Sequence, residues 1–203
     1  PVASPAPTQA ASPAASPIAA SAVTPAPAPT KVPGTGKITD KANGFAITLP
    51  AGWRAIPTSG TLPEDVDALI PDGSPLQAAL ESELAKAAKE GFALLAVDLR
   101  PETLTKGLSY LTVLVAGPSS LPLSLMESLV VGLLDEAQGV SSVTAKIVSL
   151  PAWQAIRAVY TITATTNGTT TKDAGTAFVL LSSKHTYTVS FACPYSIASS
   201  CRS

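Results

Sequence analysis

The chain divides into two parts whose compositions permit different degrees of folding. The segment from Pro1 to Gly36 consists almost entirely of proline, alanine, serine and threonine. Such a segment lacks the apolar area that would offset the entropy lost on ordering, so we predict a disordered tether over residues 1–36. Residues 37–203 have the length of one compact domain with a sizeable core. We therefore predict a single α+β domain over residues 37–203.

The composition of the tether suggests a location for the domain. A flexible spacer of this kind typically connects a globular head to a surface, and when extended it would reach on the order of 100 Å. The chain starts at Pro1 without an initiator methionine, which suggests a processed polypeptide. We expect an extracytoplasmic protein of bacterial origin, anchored to the membrane by a lipid or secreted. A linker from a longer protein, or a terminus without function, is the alternative.

Charge argues against a nucleic-acid partner, and hydropathy argues against a transmembrane segment. The chain has 13 basic and 14 acidic residues and a net charge of -1, so it offers no basic surface for a phosphate backbone and we expect no nucleic-acid partner. The most apolar stretch, Leu121 to Leu134, is interrupted by Ser124, Glu127 and Gly132. It is too short and too polar to span a bilayer. We predict a buried amphipathic helix there instead.

Two helices are predicted from spacing and end signals. Leucines recur at helical intervals through Leu76–Glu90, with Ser74 as the N-cap, Pro75 in the first turn and Gly91 as the C-cap. The second helix is predicted over about Leu121–Gln138, with Gly139 as its stop signal.

The remaining pattern predicts an antiparallel sheet. Phe92–Leu99 is so apolar that we expect a central strand buried on both faces. Asn167–Gly168 between threonine runs is a strong hairpin signal, and Ser183-Lys184-His185 predicts a second tight turn. The other predicted strands are Lys37–Asp40, Phe45–Leu49, Tyr110–Ala116 and a closing meander of Val143–Leu150, Gln154–Thr163, Thr176–Ser182 and Tyr187–Phe191.

The two cysteines, Cys193 and Cys201, lie close together near the C-terminus. In an oxidising compartment a disulfide across so short a loop would contribute roughly 2 to 3 kcal/mol. We favour this pairing over two free thiols. Two thiolates without further Cys or His ligands supply only half of a tetrahedral metal site.

Residues that could carry out chemistry are few and scattered. His185 is the only histidine and lies in a predicted turn beside Lys184. The acidic groups Glu64–Asp67 and Asp135–Glu136 lack the alternating ligands and the glycine of a calcium loop. Asn167-Gly168-Thr169 matches a glycosylation sequon, which the hairpin explains without sugar. We therefore predict no catalytic residue, no metal site and no cofactor.

Trp53 and Trp153 each follow a proline-bearing turn. Packing in the core, or as lids on the sheet edge, is the ordinary interpretation of both side chains. The functional alternative is a shallow apolar cleft near one of them, which would bind a ligand or a partner.

One family has a comparable order of elements. The opening segment Gly44-Phe45-Ala46-Ile47-Thr48-Leu49-Pro50-Ala51-Gly52-Trp53 and the closing strand from His185 to Phe191 resemble the Mog1/PsbP-like superfamily, in particular its bacterial lipoproteins. The resemblance implies an antiparallel sheet flanked by helices in an α/β/α sandwich, and mostly non-enzymatic members without catalytic residues. The family usually continues with a C-terminal helix, which the Cys193–Cys201 loop would replace here.

These observations predict a non-catalytic accessory or assembly protein. Its expected partner is a protein or membrane complex at the outer face of the cytoplasmic membrane, reached through a lipid anchor instead of a transmembrane helix. The alternative is a module that binds a small ligand or lipid in an apolar cleft near the tryptophans. An enzyme that depends on His185 is the third and least favoured hypothesis.

Overall fold

The computed structural model describes residues 36–58, 62–151, 153–166 and 169–201. The strands are β1 Lys37–Asp40, β2 Phe45–Thr48, β3 Trp53–Ile56, β4 Leu94–Asp98, β5 Tyr110–Ala116, β6 Val140–Leu150, β7 Trp153–Thr166, β8 Thr169–Leu181 and β9 Thr186–Pro194. The helices are α1 Glu64–Asp67, α2 Pro75–Glu90, α3 Pro101–Leu104, α4 Leu123–Asp135 and α5 Ala198–Cys201, with a 3-10 turn at Tyr195–Ile197. The predicted tether over residues 1–36 lies outside the described residues except for Gly36.

The strands form two antiparallel sheets, which confirms the predicted α+β class. Seven strands make the main sheet in the order β3-β4-β5-β9-β8-β7-β6, and β1 pairs with β2 as a separate hairpin. The predicted closing meander is confirmed, since β6 to β9 are consecutive neighbours. The predicted turn residues Asn167 and Gly168 lie outside the described residues, and the flanking strands pair up to Thr166 and Thr169.

The strand β4 is buried along its whole length, as its apolar run Leu94–Val97 predicts, and its last residue, Asp98, is a buried carboxylate. Alternate residues of a strand point to opposite faces of the sheet. Leu95 and Val97 pack under α2, whereas Leu94 and Ala96 pack under the β1–β2 hairpin. Both faces of the sheet are therefore covered at this position.

The helix α2 begins and ends where its sequence predicts. The Ser74 hydroxyl accepts a hydrogen bond from the backbone N–H of Gln77 at 3.1 Å, and Gly91 ends the helix in the left-handed conformation at φ 71°. Leu80 and Ala87 are its fully buried residues. They anchor the helix on the core of the β3–β4–β5 half of the sheet.

The two long helices lie on the same face of the sheet. Val97 under α2 and Tyr160 near α4 are connected by direct cross-strand pairs through Tyr110, Ala192 and Gly175, which all point to one side. The opposite face carries the β1–β2 hairpin, packed on β3, β4, β5 and β9. On that face a pair of strands occupies the position that a helix would hold in the α/β/α sandwich implied by the resemblance.

The helix α4 is more exposed than its sequence predicts. We expected a buried helix over Leu121–Gln138, but α4 spans Leu123–Asp135 and none of its residues is buried. Its inner side, including Val130 and Leu134, packs on β6 and β7 at the end of the sheet. No other described element covers the outer side, so the prediction of burial is wrong.

Candidate ligand-binding cleft

An apolar cavity lies between the hairpin and the main sheet. Its volume is about 350 Å³, within the range of about 300 to 1,000 Å³ that is usual for small-molecule pockets. We call it the hairpin cleft. None of its lining residues is charged, and they are Gly44, Phe45, Ala46, Ile47, Val113, Trp153, Leu180, Tyr187 and Val189.

Hydrogen bonds in the hairpin loop hold one wall of the hairpin cleft. Asp40 accepts two bonds from Asn43, one from its backbone N–H at 3.0 Å and one from its side-chain amide at 2.6 Å. The carbonyl of Asn43 in turn accepts a bond from the hydroxyl of Tyr187 on β9 at 3.0 Å. The ring of Tyr187 also meets Phe45 edge to face, with centroids 6.3 Å apart. Tyr187 therefore ties the hairpin to the sheet.

The floor of the cleft is a patch of cross-strand neighbours. Val113 on β5 pairs with Val189 on β9, and Tyr187 pairs with Leu180 on β8. Side chains directly opposite each other in antiparallel strands lie on one face of the sheet. The register therefore groups these apolar side chains beneath the hairpin.

The structure places the two tryptophans in different environments. Trp53 is 5% exposed and packs against Phe191 in the core, with ring centroids 5.6 Å apart. Trp153 begins β7, lines the cleft and is 43% exposed. Of the two residues named from sequence, only Trp153 is positioned to contact a ligand in this cleft.

The hairpin residues that complete the cleft carried no functional signal in the sequence. Phe45 and Ile47 share one face of β2, which identifies them only as apolar side chains of a short strand. Their contact with β9 joins positions more than 140 residues apart, as the bond from Tyr187 to Asn43 shows. The packing of the hairpin on the sheet, and not a local motif, creates the cavity.

Residues weighed for chemistry are scattered over the described structure. His185 lies in the turn between β8 and β9, where its ring is 5.7 Å from the ring of Tyr187. Asp65 forms a salt bridge with Arg54 at 3.2 Å. Asp135 is the last residue of α4, and Glu136 occupies its C-cap position. Among the described residues no group of three or more His, Cys, Asp or Glu side chains could hold a metal ion.

The C-terminal cysteines are described only in part. Cys193 is completely buried near the end of β9 and is not a free thiol. The side chain of Cys201 lies outside the described residues, so its pairing with Cys193 stays a prediction. After β9 the chain makes a 3-10 turn and the one-turn helix α5.

A group of titratable side chains on the helix face was not anticipated from the sequence. Burial raises the pKa of Glu83 on α2, and it also raises the pKa of Asp173 on β8. Burial raises the pKa of Tyr110 well above its usual value, with a further contribution from Glu83. The pKa of Tyr160 is raised by burial as well, against a hydrogen bond with Ser190. These groups lie on the face opposite the hairpin cleft.

Within the described part of the chain, no helix has the length and apolar character needed to cross a membrane. No protein-family model matches the sequence, and no curated protein matches it. The resemblance to the Mog1/PsbP-like superfamily therefore stays a prediction. Among solved structures, the chain is similar to LpqN, which is described as involved in cell envelope biogenesis of Mycobacterium tuberculosis. The match covers 84% of this chain and 78% of that chain, with 11% sequence identity and a TM-score of 0.43.

Proposed function

We propose that the protein is a non-catalytic, extracytoplasmic accessory protein whose domain binds an apolar ligand of the acyl-chain class in the hairpin cleft. The observation that supports this proposal is the uncharged cavity of about 350 Å³ with an indole at its rim. Transfer of apolar surface from water into such a site is favourable by roughly 25 cal/mol per Å². An aliphatic chain suits the lining because it leaves no polar group unpaired.

The polar groups around the cleft further restrict the chemistry of the ligand. The Tyr187 hydroxyl already donates its proton to the carbonyl of Asn43, so it offers a ligand an acceptor and no free donor. Beyond the cleft, Lys146 on β6 lies on the same face of the sheet as Val189. An amphiphile with its chain in the cleft and an anionic head toward this side fits the arrangement.

The proposed location rests on the composition of the tether. A proline-rich spacer of this length would hold the domain away from a membrane to which its far end is attached. A lipid anchor is the attachment we propose. A disulfide between Cys193 and Cys201 fits the oxidising compartment that this location implies.

The distribution of the tryptophans allows a direct test of ligand binding. In a Trp53→Phe background, Trp153 is the only remaining indole and reports on the cleft alone. Titration with palmitate is expected to shift its emission to shorter wavelength and to saturate, because the chain displaces water from the rim. Absence of a saturable shift would contradict the proposal.

A matched pair of variants then locates the binding site. Ile47→Ser places a hydroxyl in the apolar wall and is expected to weaken palmitate binding at least tenfold, since it leaves a polar group without a partner. Leu69→Ser changes an exposed leucine outside the cleft and is expected to leave the affinity unchanged. Equal affinity in both variants would place the ligand elsewhere.

Docking on another protein is the second candidate function. The exposed leucines of α4 favour it, because a contiguous apolar surface on a folded domain often marks an interaction site. Binding of a protein at α4 would leave the emission of Trp153 unchanged, since the cleft opens on the opposite face of the sheet. The fluorescence titration therefore separates the two candidates.

A further inference from the structure

The outer side of α4 carries a row of exposed leucines, Leu125, Leu129 and Leu133, and a further exposed leucine, Leu121, precedes the helix. Residues spaced by four along a helix lie on one face, one above the other. Leu121, just before the helix, is 39% exposed, and Leu125, Leu129 and Leu133 within it are 48%, 45% and 70% exposed. We call these four residues the leucine row. Half of the large hydrophobic side chains described as exposed belong to it.

A groove of small residues runs beside the leucine row. Ser124, Ser128 and Gly132 occupy the adjacent row of the same helix and are exposed. A glycine inside a helix destabilises it by roughly 0.5–1 kcal/mol relative to alanine. A Cβ added at Gly132 would meet no heavy atom within 4 Å, so the packing of this domain does not require a glycine there. A close approach of another protein's helix at this position would require a glycine.

The charged residues of α4 and of the segments that flank it are of one sign. Between Gly117 and Gly139 the chain has no lysine or arginine but three acidic residues, Glu127, Asp135 and Glu136. Asp135 is the last residue of α4, and Glu136 occupies its C-cap position. The C-terminal end of a helix carries a partial negative charge, so carboxylates are unfavourable there and cations are favourable. The helix therefore lacks the cations that would stabilise this end.

We propose that the leucine row and its groove are the docking site for an apolar helix of another protein, with basic residues placed over the C-terminal end of α4. The proposal rests on the docking candidate above and adds the surface and the chemistry of the partner. A ridge of side chains spaced by four fits the groove along Gly132, which is the common geometry of packed helices. Lysines or arginines on the partner would meet Asp135 and Glu136.

Charge argues against two other occupants of the leucine row, a second copy of this chain and an anionic lipid surface. In a two-fold contact, a second copy of this chain would bring the same helix, which has no cation to pair with the acidic end. An anionic lipid surface would be repelled, and helices that lie on membranes usually carry lysine or arginine on their polar face. A basic partner helix satisfies both the apolar row and the acidic end.

Two synthetic helical peptides test the proposal on the full chain. Both carry the same leucine face, and the flanking positions are lysine in one and glutamate in the other. We expect the lysine peptide to bind at least tenfold more tightly by fluorescence anisotropy, and its affinity to fall as salt rises from about 50 to about 300 mM. Equal binding of the two peptides would overturn the basic chemistry of the partner, whereas no binding of either would contradict docking itself.

Substitutions then assign the binding to α4. Leu129→Ser and Leu133→Ser are expected to weaken binding of the lysine peptide at least tenfold. Leu69→Ser, which changes a leucine elsewhere that is about as exposed as Leu129, is expected to have no effect. Gly132→Ala is expected to stabilise the fold against urea and yet to weaken the peptide, because its methyl group fills the groove. Unchanged peptide affinity in Gly132→Ala would remove the groove from the proposal.

Sedimentation and vesicle binding test whether a second copy of the chain or a lipid surface occupies the leucine row instead. We expect the protein without peptide to sediment as a monomer, and any binding to anionic phosphatidylglycerol vesicles to be the same in Leu133→Ser as in the unsubstituted protein. A dimer that Leu133→Ser dissociates would assign the surface to a second copy. Vesicle binding that Leu133→Ser abolishes would assign it to lipid. Either result would overturn the proposal.

Discussion

Asp98 is a buried carboxylate that fixes the end of the central strand β4. Its side chain accepts hydrogen bonds from the Arg100 guanidinium, the Arg100 backbone N–H and the Thr103 hydroxyl, the shortest at 2.6 Å. Asp98→Asn is expected to destabilise the fold by about 1.5–3 kcal/mol at neutral pH, the usual loss for a hydrogen-bonded charged group. Urea denaturation measures this difference.

The effect of Asp98 has a definite pH dependence. Burial alone would raise the pKa of Asp98, but the hydrogen bonds from Arg100 and Thr103 outweigh burial and hold the pKa below its usual value. Its stabilisation is therefore present above the ordinary carboxyl pKa and is lost as pH falls through the lower folded pKa. Glu102→Gln, which changes an exposed carboxylate 4.0 Å from Arg100, should alter stability by less than about 0.5 kcal/mol. A comparable loss in both variants would contradict the special role of Asp98.

At the scale of elements, α2 carries a carboxylate in an unfavourable place. Burial raises the pKa of Glu83, and its partners Lys86 and Tyr110 offset this only in part. Glu90 and Asp173 also face it and raise its pKa further. Glu83→Gln is expected to stabilise the protein at neutral pH, because it removes a charge that the folded state disfavours.

The sign of the Glu83 prediction follows from the raised pKa. The carboxyl is fully compatible with the fold below the ordinary glutamate pKa, and stability is lost as pH rises through the folded pKa. The advantage of Glu83→Gln over the unsubstituted protein should therefore vanish in acid. Glu81→Gln, the same substitution on the exposed side of the same helix, is the matched control. A constant advantage at all pH values would assign the effect to packing instead of ionisation.

Elements with local signals could be predicted from the sequence, and elements made by tertiary contacts could not. The ends of α2 follow from Ser74 and Gly91, and β5 follows from a β-branched run that stops before Gly117-Pro118. The short helices α1 and α3 were missed because one turn of helix has little stability of its own. The burial of Val66 in α1 depends on contacts with the distant strand β4.

The same distinction explains the candidate site. Trp153 could be named from its position after a proline turn, but its neighbours in the cleft come from four other strands and the hairpin loop. The exposure of α4 was not predictable, because the sequence of an apolar helix does not show whether other parts of the domain cover it. Only the position of α4 over β6 and β7, at the end of the sheet, shows that its outer side is free of other described elements.

At the scale of the whole molecule, the hairpin is a separate two-stranded unit laid on the sheet. Isolated hairpins are at best marginally stable, so β1 and β2 depend on their contacts with β9 and its neighbours. Tyr187→Phe removes the hydrogen bond to Asn43 and is expected to lower stability by about 0.5–1.5 kcal/mol. Hydrogen exchange should become faster at the amides of β1 and β2 in particular.

A second tyrosine provides the control for the hairpin. Tyr195 is exposed, and its ring interacts with Lys172 at 4.3 Å through the face, which phenylalanine preserves. Tyr195→Phe should therefore leave the exchange of the hairpin amides unchanged. If Tyr187→Phe also left them unchanged, packing of Phe45 and Ile47 alone would hold the hairpin in place.

The two proposed surfaces lie on opposite faces of one sheet, and this arrangement predicts independent binding. The cleft uses the side that carries Val113 and Val189, whereas α4 packs over the side that carries Tyr160. Sites without shared partners usually contribute additively, within about 0.5 kcal/mol. Palmitate at saturation should therefore change the affinity for the lysine peptide by no more than about twofold. Ile47→Ser should affect only palmitate and Leu133→Ser only the peptide. A tenfold change in either affinity would instead mean a coupling of about 1.4 kcal/mol between the faces, which the shared strands β7 and β8 would have to transmit.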